Sequence, residues 1–200
     1  MVDLSLLFDK SVSKRDKFLA RLLGLFSEEI VKIWTQDDLS PYKDLGRPTI
    51  TQRDTNKPYT LDFTLSLKSE EPRKTYFVTE MKCWTEFENY KYLNLATSGQ
   101  LEKLNVYPAF KAFLTMAKER EKFVVKVSKK EVDYTGLILI WSRAESDVIN
   151  SVKQTYGLYD VLTLENILSD LNKWNNQQYK EFIAERAEWC SHLFNAFTNT

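Results

Sequence analysis

Tyr59-Thr-Leu-Asp62-Phe-Thr-Leu-Ser-Leu67 and Thr75-Tyr-Phe-Val-Thr-Glu80-Met-Lys82 are the stretches on which the fold turns. The first alternates with the period of a β-strand. Leu61, Phe63, Leu65 and Leu67 fall on one face, and Thr60, Asp62, Thr64 and Ser66 on the other. Ser69-Glu-Glu-Pro72 separates the two stretches, so they read as a hairpin. A turn centred on Glu71 fixes the register: Asp62 faces Glu80, and Lys68 faces Lys74. Opposed side chains share a face, with Cβ atoms about 4.5–5.5 Å apart. Lys82, two positions past Glu80, shares that face too. Two carboxylates and an amine are therefore expected to converge.

Two bare carboxylates at that spacing repel, so something must offset the repulsion. A hard divalent ion such as Mg²⁺, with Mn²⁺ as a substitute, bridges carboxylates and a phosphate naturally. The Met81 carbonyl lies between the two side chains and offers another oxygen. Lys82 would stabilise charge developing on the phosphate or orient the attacking water. It could act as a base only with a pKa far below the usual value of about 10.4. The competing reading is a solvated sheet face on which Lys82 pairs with a carboxylate. Val78 and Trp84, on the same face as the carboxylates, argue against open solvent.

Outward from the hairpin, residues 14–36 carry Leu19, Leu22, Leu23, Phe26, Ile30, Ile33 and Trp34 at helical spacing. Pro41 and Gly46 mark the exit loop. Arg47–Arg53 reads as a strand closed by Asp54-Thr-Asn-Lys-Pro58. Helical stretches are expected over Ser98–Val106 and from Pro108 to about Arg120. Short strands are expected at Lys122–Val127 and Asp160–Leu164, and a strong central strand at Tyr134–Ser142. Helices are expected over Ser146–Tyr156, from about Leu164 with Thr163 as its cap, and over Gln177–Phe197. The order is that of an α/β (α+β) fold with a mixed central sheet flanked by helices. We expect one domain over residues 1–200, with a core at about 15–142 that residues 143–200 complete or extend.

The composition suits a globule: 43% hydrophobic residues, five Gly, five Pro and zero net charge. Cys83 and Cys190 match no zinc or redox spacing, and are expected to be reduced thiols in a cytoplasmic protein. No secretory leader and no apolar run of membrane-spanning length is evident. Charge is uneven: residues 101–130 hold eight basic side chains against three acidic, and residues 145–188 eight acidic against four basic. A basic stripe can follow a phosphate backbone, although solvated helix faces produce the same pattern. His192 is the sole histidine, so a Ser-His-Asp triad would rest on one tail residue, and we read it as structural. The five glycines form no phosphate-binding loop. The tail aromatics Trp174, Tyr179, Phe182, Trp189, Phe194 and Phe197 recur regularly enough for core or a dimer face. Trp84 and Tyr90, just past the acidic hairpin, are better placed to touch DNA, although core packing is the favoured reading for Trp84.

Asp62, Glu80-Met-Lys82, the opening helix, the three strands, the next helix and the Leu137–Trp141 strand together resemble the PD-(D/E)XK nuclease superfamily, which has the restriction-endonuclease-like fold. The resemblance covers roughly residues 15–142. It implies an αβββαβ core and metal-dependent cleavage of DNA phosphodiesters, of restriction or Holliday-junction-resolvase type, with no organic cofactor. Asp62 and Glu80 would be metal ligands and Lys82 the catalytic lysine. Leu61 stands where the motif's name has proline. Similar nucleases often aim an acidic residue of the first helix into the site. Here Glu29, on the face of Leu22, Phe26 and Ile33, is favoured over Glu28, which an ordinary pair with Arg21 or Lys32 would explain. Gln100 and Lys103 match the family's Gln and basic residue on the helix after the motif, as DNA contacts. A Thr97-Ser-Gly-Gln100 capping box explains Gln100 equally well. Such enzymes commonly act as homodimers on DNA. The alternative is a nuclease-fold DNA-binding subunit of a larger recombination or restriction complex.

Overall fold

The computed structural model describes residues 13–70, 75–83 and 94–198. Its helices are α1 (Ser13–Gln36), α2 (Pro108–Lys118), α3 (Ser146–Tyr156), α4 (Leu164–Lys173) and α5 (Gln177–Thr198). Its strands are β1 (Tyr42–Asp44), β2 (Pro48–Gln52), β3 (Lys57–Thr60), β4 (Phe63–Leu67), β5 (Phe77–Lys82), β6 (Asn94–Leu95), β7 (Phe123–Val127), β8 (Lys130–Val132), β9 (Gly136–Trp141), β10 (Arg143–Ala144) and β11 (Asp160–Thr163). This is a mixed α/β architecture. No helix among the described residues is long and apolar enough to cross a membrane.

The central sheet has the order β1-β4-β5-β9-β11. β1, β4 and β5 pair antiparallel; β9 joins β5 in parallel, and β11 joins β9 in parallel. Helices cover both faces, which is why Leu137-Ile-Leu-Ile-Trp141 is apolar throughout rather than alternating. On one face Phe63, Leu65, Phe77, Met81, Ile138 and Ile140 pack against Ile30, Ile33 and Trp34 of α1 and against Leu164, Ile167 and Leu171 of α4. On the other, Val78, Leu137, Leu139 and Trp141 pack against Phe110, Phe113 and Met116 of α2, Val152 of α3, and the inner face of a second sheet. That second sheet is antiparallel, in the order β3-β2-β7-β8.

A single bent ribbon joins the two sheets. β1 pairs β4 and β2 pairs β3 in one unbroken register, from Tyr42 opposite Leu67 to Gln52 opposite Lys57. The Leu45 N–H donating to the Thr64 carbonyl and the Leu61 N–H donating to the Pro48 carbonyl carry the ladder through the fold. The ribbon bends at residues 45–47 on one strand and at Asp62 on the other. Gly46 has φ +99°, and its N–H donates to Asp44 Oδ1 at 2.9 Å, a compact Asx-type corner. A Cβ at Gly46 would meet nothing within 4 Å, so only the backbone opposes a side chain there. Gly46→Ala should therefore cost about 1–2 kcal/mol through φ strain alone, read as a lower urea midpoint with an unchanged m-value.

The bend corrects the reading of Tyr59–Lys68 as one strand. Leu61 packs with the α2-side core, whereas Phe63 and Leu65, of the same parity, pack on the α1 side. Arg47–Arg53 accordingly belongs to the second sheet, and the unanticipated β1 takes its place in the central one. Ser98–Val106 is a 3₁₀ stretch. α3, β11, α4 and α5 lie within a residue or so of their expected bounds, and Thr163 Oγ1 accepts from the Asn166 N–H at 3.2 Å as the cap of α4.

Candidate active site

The hairpin register is the expected one: Phe63 lies opposite Thr79, Thr64 opposite Val78 and Leu65 opposite Phe77. One more step puts Asp62 opposite Glu80. There β4 bends away, and the Met81 N–H, which has no strand partner on that side, donates to Asp62 Oδ2 at 2.7 Å. The chain thus replaces a ladder bond with a bond to a charged acceptor, which fixes the carboxylate at the bend.

Glu80 is only 4% exposed, with its carboxyl within hydrogen-bonding reach of Asp62. Lys82 Nζ bonds Glu80 Oε1, lies 3.3 Å from the Met81 carbonyl oxygen and sits 5.6 Å from the Phe110 ring centroid. Asp62, Glu80 and Lys82 therefore converge on the α2-facing side of the sheet. Val78, on the same side, is fully buried. A plain solvated face is excluded.

The electrostatics follow from burial. Desolvation pushes the Glu80 carboxyl up to about 7; Lys82 pulls it down and Asp62 raises it again. Asp62 is raised too, by desolvation first, with the Met81 N–H and Lys82 opposing. Two adjacent carboxyls, both raised chiefly by burial, would ionise more readily beside a bound cation. The oxygens of Asp62, Glu80 and Met81 are hard donors of the kind Mg²⁺ takes, so these residues fit a divalent cation. Among the described residues, no group of three or more His, Cys, Asp or Glu side chains comes together.

Glu29 does not join this cluster. Its Oε2 is 2.9 Å from Nη2 of Arg186 on α5. The reason is the side from which α1 approaches: it covers the Phe63–Phe77 face, opposite to Glu80 and Lys82, and its Glu29 face meets α5. Glu28 instead reaches round the bend, bonds Arg47 and raises Asp62 by its charge. Glu28→Gln should lower the Asp62 pKa, because the Glu28 charge raises it, whereas Glu29→Gln should leave it unchanged. NMR titration of the Asp62 carboxyl in the two purified variants would check this.

Gln100 serves the chain itself. Its Oε1 accepts from the Ala96 and Thr97 N–H groups at 2.6 and 2.9 Å, and its Nε2 donates to the Asn94 carbonyl at 3.1 Å. This is the capping-box alternative, and it pins the loop that enters the 3₁₀ stretch. Lys103 is exposed on that stretch. Trp84 and Tyr90 lie outside the described residues. His192 stands on the exposed side of α5, 3.8 Å from Glu188. Cys83 is a buried thiol pushed up to about 12 by desolvation, which suits a core residue rather than a nucleophile.

Arg47 was not anticipated. Extending the β2–β3 register past Thr49–Thr60 places it opposite Asp62, as follows from a turn at residues 53–56. Comparison with protein-family models, with curated proteins and with solved structures gives no match for this chain.

Proposed function

We propose that the protein is a divalent-metal-dependent DNA endonuclease of the restriction or Holliday-junction-resolvase type. The observation that carries this reading is the convergence of Asp62, Glu80 and Lys82 at a strand bend, with both carboxyls displaced upward. The order β1-β4-β5-β9, antiparallel twice and then parallel, supports reading the sheet as the restriction-endonuclease-like core.

Asp62, Glu80 and the Met81 carbonyl would hold Mg²⁺ or Mn²⁺. A cation there would neutralise phosphate charge and lower the pKa of the attacking water. Asp62 is already oriented by the Met81 N–H and needs no rearrangement to serve as a ligand. Release of the Glu80 proton frees its carboxylate for the cation. Lys82 is then positioned to donate to a phosphate oxygen that gains charge, while its aliphatic stem stays buried near Phe110. Arg47 holds Glu28 beside the site.

A homodimer belongs to the same proposal, since cutting both strands calls for two sites. Exposed Trp189, Leu193, Phe194 and Phe197 of α5, with Phe18 and Leu25 of α1, support it as an apolar surface. The alternative, a DNA-binding subunit with little activity alone, draws on the site offering two carboxylates and no third among the described residues. A cleavage panel of linear, supercoiled, single-stranded and four-way-junction DNA in Mg²⁺ separates the two. The nuclease reading expects at least one substrate to be cut, with no cutting in EDTA or by Glu80→Ala. Binding without cutting, in Mn²⁺ as well, would favour the subunit.

A further inference from the structure

The row of residues running from Asp62 across the second sheet carries a consequence for substrate binding. Arg47 continues the register opposite Asp62, and Ser128 continues the β2–β7 register opposite Arg47, one step past Pro48–Val127. The β7–β8 turn is thus two strand spacings from Asp62, about 10 Å, along the same sheet edge. Val127 pairs with Lys130 across it, so the turn residues are Ser128 and Lys129. Ser128, Lys129 and Lys130 are all exposed. Lys126 is opposed by Glu131 across the ladder, so the excess positive charge stands at the tip.

The backbone of that tip is also unusual. Ser128 and Lys129 have φ of +48° and +68°, the positive-φ pair of a type I′ turn. Asn-Gly is the sequence that adopts this turn without strain. Keeping a lysine there costs local stability, and such departures concentrate where a side chain has another task.

We infer that the β7–β8 hairpin is a DNA-backbone clamp: Lys129 and Lys130 contact phosphates of the strand whose scissile phosphate lies at Asp62 and Glu80. The inference rests on the nuclease reading and names how that site holds its substrate. At 3.4 Å per nucleotide, a strand laid along the row meets the tip about three nucleotides from the cut.

The test uses the full-length protein and a fluorescent DNA duplex of about 30 base pairs. Anisotropy is measured in EDTA across a KCl series, and single-turnover cleavage in Mg²⁺ at saturating protein. Lys129→Ala/Lys130→Ala should bind about tenfold more weakly at 0.1 M salt. Its log–log salt slope should be shallower by about 2, one unit per lost phosphate contact. Its saturated cleavage rate should be unchanged. Lys129→Gly relieves the turn, so its Tm should rise by a few degrees while its affinity still falls, a combination that a purely structural lysine cannot give. If the wild type cuts DNA and the double variant binds with wild-type affinity and slope, the clamp is wrong and the nuclease reading stands. If the wild type binds without cutting, the nuclease reading fails, and the same slopes still judge the hairpin. If it neither binds nor cuts, both fall.

Discussion

Lys82→Ala protein should lose about 10²–10³-fold in DNA cleavage, and it should lose stability in a pH-dependent way. The first effect follows from removing the cation bonded to Glu80, where a single well-placed donor to developing charge is worth about 10²–10³-fold. The second follows from Glu80. With Lys82 present, the buried carboxylate has a bonded counter-charge; without it, ionised Glu80 is nearly unpaired. Breaking a buried pair costs about 3–5 kcal/mol when the remaining charge cannot neutralise. Glu80 can neutralise by staying protonated, so Lys82→Ala should be close to wild-type stability near pH 5 and clearly weaker at pH 8. Denaturant unfolding at the two pH values checks the stability, and single-turnover kinetics checks the rate. Equal destabilisation at both pH values would mean that Lys82 contributes packing against Phe110 rather than charge.

Glu80 itself should make the metal-free protein less stable as pH rises. Its carboxyl stands at about 7 in the folded chain against 4.5 for the ordinary group. Between those values the unfolded chain releases the proton and the native chain keeps it. More protons are then bound to the native state, so unfolding free energy falls with rising pH. The loss begins near pH 4.5 and is complete above about pH 7, on the order of 3 kcal/mol in all. Glu80→Gln removes the titration and keeps the shape. In EDTA its advantage over wild type should be small or negative at pH 4.5 and should grow through pH 7. Added Mg²⁺ should close the gap for wild type and do nothing for Glu80→Gln, because a ligand bound by the native state alone stabilises it by mass action. Urea titrations of both proteins, with and without Mg²⁺, give all four curves. A gap that does not change with pH would show that Glu80 ionises in the folded chain as it does in the unfolded one.

The acidic hairpin was legible because period and turn position are both written locally. Alternation set the faces, the centred turn set the register, and together they put Asp62, Glu80 and Lys82 on one side. The bend at Asp62 was not legible in the alternation, which continues unbroken through Leu61 and Phe63. It shows only in tertiary terms, through Gly46 and the switch of Leu61 into the other core. Glu29 was misplaced for a related reason. Helical spacing tells which residues share a face of α1, but not which neighbour that face will meet. The sheet took Ile30, Ile33 and Trp34, and α5 took Glu29 through Arg186. Gln100 shows that one local pattern can serve two readings, and here hydrogen bonds to Ala96, Thr97 and Asn94 occupy the side chain.

In the proposed site, Asp62 and Glu80 together bind a divalent cation. Calorimetric titration of Mn²⁺ into the wild-type protein and into Asp62→Ala at pH 7 tests it directly. The expected result is one site per chain in wild type, with a heat that varies with buffer ionisation enthalpy because Glu80 gives up a proton to the buffer, and loss of that site in Asp62→Ala. Indistinguishable titrations of the two proteins, with no site in either, would contradict it.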